Sequence, residues 1–501
     1  VKNKTGVCRA LLLVGMGLMI PCYLFTAGNT LLSPWPLYDR NRLALCLLTP
    51  LCLLLLLLLG RAAKAKVFET HERAVLLGFA AFYFVIQLVM ASALRFTPVT
   101  DLEQCVTAAR RLAQTGAFGN SERSLIYFGR YPHNMGLVYL LAGIFKAADA
   151  LGADELMAAA LVCGLLFSMG LLCAARLCRR LGGAQAQARA LLLFATCLPF
   201  LYCTSELYTD AFSVAFAPMI VFAFLKARDA GSRKERSLWA LLFAVCTFFG
   251  AQIRFPTIIA AIACLIAALF EKRAKLTALL AAPLALVFAV GGSAVNAANK
   301  ANLGAANIAQ NKLPKLHYIA MGLPVQSDEG YGQYGYGGWL IFSTSFDDPQ
   351  ARDEALRQEV VDRAYTLAHH PAQLLSTLSR KNLSTFGRGT FNLNEIFEAD
   401  AHEADNAVKQ AVFENGRFNR AYTHLATAMF VAQMALACIA CIQAIRRRDT
   451  RAAPLFLTLL GAFLFLSIWE TRARYFFQFM MILLCAGAMF ETPSTHAAQK
   501  A

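Results

Sequence analysis

Apolar positions along the 501-residue chain gather into long runs separated by short polar, basic loops. The runs cover 7–27, 43–59, 74–94, 156–175, 188–203, 211–225, 238–253, 257–270, 277–295, 421–445, 454–469 and 475–490. A helix needs about 20 residues to cross a hydrocarbon core roughly 30 Å thick, so the pattern predicts an all-α polytopic membrane protein with about twelve transmembrane helices. One further apolar stretch, 135–148, is only 14 residues long, follows Tyr131-Pro132-His133-Asn134 and carries Lys146 and Asp149 at its end. That length suits a re-entrant or interfacial helix, which makes 95–155 one long outer loop. The first run is read as a retained helix, because no small-residue cleavage site is obvious and further spans follow it.

The resulting organisation is a transmembrane module at 1–295, a polar extracytoplasmic domain of helical or mixed character at 296–420, C-terminal transmembrane helices at 421–491, and a cytoplasmic tail at 492–501. The polar segment begins with alternating Ala, Asn and Lys and then reaches a Gly-Tyr-rich stretch, 330–339, ending at Trp339. Aromatic rings on a Gly-flexible loop suit stacking against sugars; turns and interface anchoring explain them equally well. Leu356, Val360, Ala364 and Leu367 line one face of a helix predicted over 353–369. His369-His370-Pro371 reads as the end of that helix, since no second ligand pair is spaced to join the histidines in a metal site. A second helix follows over 374–383. This domain is expected to help choose an acceptor.

Composition excludes an ordinary water-soluble domain: 58% of residues are hydrophobic and 16% charged, far from a globular average. The formal charge of +16 raises nucleic-acid binding, but the basic residues fall between spans. Lys2, Lys4 and Arg9 open the first helix; Arg61, Lys64, Lys66 and Arg73 follow the second. Arg176, Arg179, Arg180 and Arg189 flank another short loop, as do Lys226, Arg228, Arg233, Lys234 and Arg236, then Lys272, Arg273 and Lys275, then Arg446, Arg447, Arg448 and Arg451. If the N-terminus is cytoplasmic and twelve spans alternate, every one of these loops lies inside, as the positive-inside rule requires. No nucleic-acid partner is expected. Of 15 cysteines, only Cys105 falls clearly in an outer loop, so the thiols read as small membrane-core residues.

Apolar spans supply few catalytic groups, so chemistry is sought in polar residues stranded at the outer ends of helices. Asp101 and Glu103 follow the third span, where a carboxylate can act as general base; Thr100 or Asp101 as a helix N-cap is the plainer explanation. Tyr127, Arg130, Tyr131, His133 and Asn134 precede the interfacial helix, in a position that equally suits aromatic anchoring at the interface. Glu206 and Asp210 stand four apart, on one face if that end is helical, and suit a divalent cation such as Mg or Mn; capping of the sixth span by Asp210 is the alternative. Arg254 and Arg474, the latter beside Tyr475, are outer arginines that run against the positive-inside trend. A guanidinium matches a phosphate in a bidentate fork, so both read as lipid-phosphate ligands.

The carboxylate in a long first loop, the Tyr-Pro segment before a short helix, Arg180-Leu181-Gly182-Gly183 on the inside, the outer Asp opening the next span and Glu470-x-x-x-Arg474-Tyr475 before the last helix together resemble the GT-C glycosyltransferases. Within them the chain is most similar to the bacterial family-39 type, related to dolichyl-phosphate-mannose protein mannosyltransferases, over roughly 101–490. The resemblance implies transfer of a sugar from a polyprenyl-phosphate donor to a cell-envelope glycan, lipid or protein acceptor. It implies a site on the outer face of the bacterial cytoplasmic membrane, with inversion at the anomeric carbon. Asp101 matches the family's first-loop base. Such members often carry adjacent acidic residues, whereas Leu102 here separates Asp101 from Glu103, so the base is open between the two. Arg254, Arg474, Tyr475, Tyr131 and His133 would contact the donor, and Glu206 and Asp210 match an outer carboxylate position that in some relatives helps hold a metal. A lipid-linked-sugar flippase or other transporter, and an O-antigen-type ligase or polymerase, are the rival readings; both are also polytopic.

Overall fold

The computed structural model describes residues 2–35, 37, 41–63, 67–94, 97–119, 121–326, 329–393, 397–398, 407–413 and 416–491. The backbone at Lys64, Lys66 and the tail 492–501, and the side chains of Lys2 and Lys4, lie outside this description. Among the described residues the chain is almost entirely helical. The exception is a two-residue antiparallel pairing of Thr97–Pro98 with Phe397–Glu398, which ties the start of the first outer loop to the polar segment.

The helices are α1 (Gly6–Leu32), α2 (Arg42–Ala62), α3 (Glu72–Leu94), α4 (Thr100–Thr115), α5 (Glu122–Arg130), α6 (Met135–Ala150), α7 (Glu155–Ala195), α8 (Thr209–Asp229), α9 (Arg233–Ile253), α10 (Phe255–Phe270) and α11 (Ala274–Leu303). They continue with α12 (Ala305–Asn311), α13 (Lys315–Gly322), α14 (Trp339–Thr344), α15 (Pro349–His369), α16 (Pro371–Phe386), α17 (Ala407–Val412), α18 (Asn419–Arg446), α19 (Ala453–Ile468), α20 (Arg474–Phe477) and α21 (Met480–Ala488). Eight of them, α1, α2, α3, α7, α8, α9, α11 and α18, are long and apolar enough to cross a membrane. The other four of the twelve expected runs take shorter or broken forms. The eighth and eleventh are short helices, α10 and α19, and the last run breaks into α20 and α21.

The fifth run has the most instructive departure. It belongs to the same 41-residue helix as the fourth, kinked where Gly183 takes φ 75° and ψ −169°, a backbone state that only glycine adopts without strain. Beyond Ala195 it continues as 3₁₀ turns at Leu198–Leu201 and Cys203–Ser205. Non-helical backbone at depth must find its hydrogen bonds inside the protein. Here Tyr83 donates its hydroxyl to the Phe194 carbonyl at 2.8 Å, and the Gln87 amide reaches the Phe200 carbonyl at 2.7 Å.

Burial orders the bundle. The apolar window of α8 is 83% buried and that of α18 is 78%, against 6% for α11, so α8 and α18 form the centre and α11 an outer wall. Leu43, Leu47, Leu51, Leu54, Leu55 and Leu58 of α2 point outward, an apolar surface too continuous for water. All fifteen cysteines are free thiols, none of them fully exposed, and Cys105 lies on the buried face of α4.

The basic loops gather at one end, as the charge pattern predicts. Arg179 pairs with Glu72 at 2.9 Å, Arg180 with Asp229 at 3.0 Å, and Arg228 with Glu271 at 3.7 Å. Arg447 pairs with Glu491, and Arg9 bonds the Arg448 carbonyl. Since α9 begins at this end and finishes at Arg254, the polar clusters singled out above lie at the other.

The polar segment is less separate than expected. Its alternating Ala, Asn and Lys continue α11 as far as Leu303, where Gly304 at φ 81° turns the chain. Ala320, Met321, Trp339 and Leu356 then form a small core of their own. From Phe386 to Leu393, however, the chain enters the main core, where Phe391 meets Phe430 and Phe477 edge-on or tilted. The helix ending at His369 is as expected, with His370 capping it and Pro371 opening α16.

Candidate functional site

Helix α4 buries Leu102, Cys105, Val106, Ala108 and Ala109, and its register leaves Asp101 half-buried and Glu103 exposed. The N-cap is Val99 and makes no side-chain cap bond, so Asp101 is not held by capping. It instead accepts the Tyr127 hydroxyl on Oδ1 at 2.8 Å, with the Tyr208 hydroxyl 3.5 Å from Oδ2. Asn134 donates to the Tyr127 oxygen at 2.9 Å, fixing the phenol from behind. Thus α5 and the Pro132–Asn134 turn both serve to place one carboxylate. Glu103 takes no part in this network.

Two residues with left-handed backbone flank the cluster: Thr100 at φ 52° and Leu207 at φ 47°. Strain of this kind persists where the surroundings hold it. At Leu207 it breaks the helix that the spacing of Glu206 and Asp210 presupposed: α8 begins only at Thr209, and Glu206 closes a 3₁₀ turn. The two carboxylates therefore do not share a helical face. Asp210 neither caps a helix nor stands open. Its oxygens face Arg254 Nε at 3.1 Å and Arg474 Nε at 3.5 Å, with the Asp210 side chain fully buried. Arg254 also donates to Thr209 Oγ1 at 2.7 Å. Glu206 is buried near Cys163 and Cys203. Among the described residues no three His, Cys, Asp or Glu side chains converge in a metal-binding group.

Aromatic rings join the carboxylate to the arginines. The Arg474 guanidinium stands 5.3 Å from the Tyr208 ring, and that of Arg254 stands 4.4 Å from Tyr475, within reach of cation–π attraction. Tyr475 donates to Glu470. Burial raises the Glu470 carboxyl above its ordinary range, against the Tyr475 bond and the neighbouring Arg472 and Arg474, which lower it. Tyr208 thus has Asp101 at its hydroxyl and Arg474 at its face. Formally, the two arginines and Asp210 leave one net positive charge beside it.

The polar segment closes over this cluster. Tyr334 meets Tyr131, hydroxyl to hydroxyl, at 2.9 Å. His133 is exposed, its ring edge-on to Tyr131 and Tyr318. Thr471 donates its N–H to the Gly332 carbonyl at 2.9 Å and its hydroxyl to Tyr331 at 2.8 Å. Arg472 reaches the Tyr334 carbonyl at 3.2 Å. The loop can follow this path because Gly330, Gly332, Gly335, Gly337 and Gly338 all take positive φ. Of its rings, Tyr336 remains exposed, whereas Trp339 is buried beneath Arg363.

Sequence reasoning passed over Lys381. It is buried in α16, yet donates to the Gly322 carbonyl and, at 2.7 Å, to that of Trp469. Burial lowers its pKa to about 7, with Glu470 opposing. The signal in the sequence was a lone lysine within Leu374–Phe386, a helix whose other residues gave it no partner. A cleft of about 270 Å³ opens beside it, lined by Phe25 of α1, Leu375, Leu378 and Phe386 of α16, and Phe463 of α19.

No curated protein and no solved structure matches the chain. The family profile that does match describes a conserved hypothetical integral membrane protein, not a glycosyltransferase, and spans residues 41–495. A match over that much of the chain, together with eight apolar helices of spanning length, makes this protein a member of that family of multi-pass integral membrane proteins.

Proposed function

We propose that the protein is a membrane glycosyltransferase that moves a sugar from a polyprenyl-phosphate donor to a cell-envelope glycan, lipid or protein. The observation that carries this reading is the arrangement about Tyr208, with the Asp101 carboxylate at its hydroxyl and the Arg474 guanidinium at its face. A base and a cation one ring apart suit a reaction in which a proton leaves one reactant while negative charge grows on the other.

In this reading an acceptor hydroxyl loses its proton to Asp101 as its oxygen attacks the anomeric carbon. The bond from that carbon to the phosphate oxygen breaks on the opposite side, with inversion, and the electron pair departs with the lipid phosphate. Arg254 and Arg474 neutralise that charge. Their shielding from water strengthens the interaction relative to bulk solvent, and Asp210 holds both forks in place. The basic end of the bundle would face the cytoplasm, which puts the reaction on the extracytoplasmic side, at the cell membrane. Tyr131, His133 and Tyr475 would border the donor. Glu103, exposed on the far side of the first turn of α4, has no role in the step.

The test uses purified protein, radiolabelled polyprenyl-phosphate sugars and a membrane extract. Wild type and Glu103→Gln are expected to move label into an acceptor, and Asp101→Asn to lose at least about a hundredfold, the usual worth of general-base catalysis. Label that crosses a bilayer without changing its carrier would instead identify a flippase, and full activity of Asp101→Asn would remove the base.

A further inference from the structure

The basic residues at the site end outnumber what a single lipid phosphate requires. Arg254 and Arg474 are already engaged with Asp210. A second group stands on the side of Tyr131 and His133. Arg130 ends α5 close to Tyr334, and its Nε is buried with no hydrogen-bond partner. Lys312 caps α12, near enough to His133 for their charges to interact. Lys315 opens α13 with its ammonium 4.9 Å from the ring of Phe255, the neighbour of Arg254. Arg130, Lys312 and Lys315 form no ion pair among the described residues, whereas the basic end of the molecule pairs many of its arginines with carboxylates.

The three belong to one assembly. The Leu313 N–H donates to the Arg130 carbonyl at 3.3 Å, which joins the end of α5 to the link between α12 and α13. Lys312 and Lys315 are exposed and Arg130 is partly exposed, so the patch is accessible, at the end of the helix whose Tyr127 holds Asp101. Cations left unneutralised on one rim of a site raise the local concentration of anions and steer them in.

We propose that this rim binds the acceptor, and that the acceptor is a polyanion bearing phosphodiester or carboxylate groups along its length. The inference rests on the transferase reading above. Arg130, Lys312 and Lys315 bind negative groups of the acceptor chain flanking the hydroxyl that reaches Asp101, while Arg254 and Arg474 face the donor.

The experiment has two arms, with the full chain reconstituted in phosphatidylcholine nanodiscs. In the first, binding of fluorescent polyglycerol phosphate is compared with that of neutral dextran, for wild type and for Arg130→Gln/Lys312→Gln/Lys315→Gln. Wild type is expected to bind the polyanion alone, with affinity falling as salt rises, and the triple variant to bind about tenfold more weakly, as for the loss of several steering charges. Equal binding by both proteins, or none by wild type, overturns the proposal. In the second arm, labelled product from the transfer assay is passed over an anion exchanger. Retained label supports the proposal, and label confined to the neutral fraction overturns it while leaving the transferase standing. Absence of any transfer by wild type, with polyanion binding intact, would instead overturn the transferase reading and keep the rim as a polyanion site.

Discussion

At the site end a single side chain, Lys381, joins two separate segments of backbone. A buried ammonium is costly in an apolar setting, yet here it joins two backbone carbonyls, Gly322 of α13 and Trp469 after α19. A neutral amine retains two N–H groups, enough for both. Its pKa, lowered to about 7 from an ordinary 10.5, fixes the sign of the pH effect. Between those values the unfolded chain binds more protons than the folded one, so stability from this residue grows as pH rises. It is complete above the unfolded value and is lost as pH falls through about 7. The melting temperature of wild type relative to Lys381→Met is therefore expected to rise between pH 7 and pH 9; a difference that is flat or shrinks over that interval would show that the ammonium stays charged.

At the scale of elements, the site depends on close backbone approaches. A Cβ placed on Gly136, near the start of α6, would lie 2.2 Å from the Gln252 carbonyl at the end of α9. That contact presses the Tyr131–Asn134 turn against the segment carrying Arg254. On the same helix, Gly143 has nothing within 4 Å. In detergent melts, Gly136→Ala is expected to cost about 1–3 kcal/mol through overpacking, and Gly143→Ala to be neutral or to gain up to about 1 kcal/mol from helix propensity. Equal effects at the two positions would deny the close approach. Most helices were legible in the sequence because apolar runs of spanning length are a one-dimensional signal. The kink at Gly183 and the 3₁₀ turns after Ala195 were not, since they depend on Tyr83 and Gln87 reaching across from α3. The site was legible in part. Asp101, Arg254 and Arg474 stood out as polar groups at outer helix ends. The four-residue spacing of Glu206 and Asp210 assumed a helix that the left-handed Leu207 interrupts, and Tyr208, which carries no charge, gave no sign that it would stand between carboxylate and guanidinium.

For the whole molecule, sidedness is the property that organises everything else. Basic loops at one end and the polar segment at the other predict that an impermeant maleimide will label Ser345→Cys in intact cells and Gly231→Cys only after permeabilisation. Both positions are exposed, and the native cysteines, none fully exposed, give little background. Labelling of both from outside would invert or abolish the assigned orientation. The bundle and the polar segment also differ in how they are fastened. Ion pairs stitch α3 to α7, α7 to α8 and α8 to the loop before α11, and at the site end Asp210 of α8 pairs with Arg254 and Arg474, whereas the polar segment is laid over that end by phenols and carbonyls such as Tyr131 with Tyr334 and Gly332 with Thr471. The polar segment therefore sits on the bundle like a hasp, fastened by hydrogen bonds over helices that ion pairs rivet at both ends. On the proposed transferase reading, a bulky isoprenoid arriving sideways from the bilayer would lift the hasp while the rivets held, and it would close again behind it.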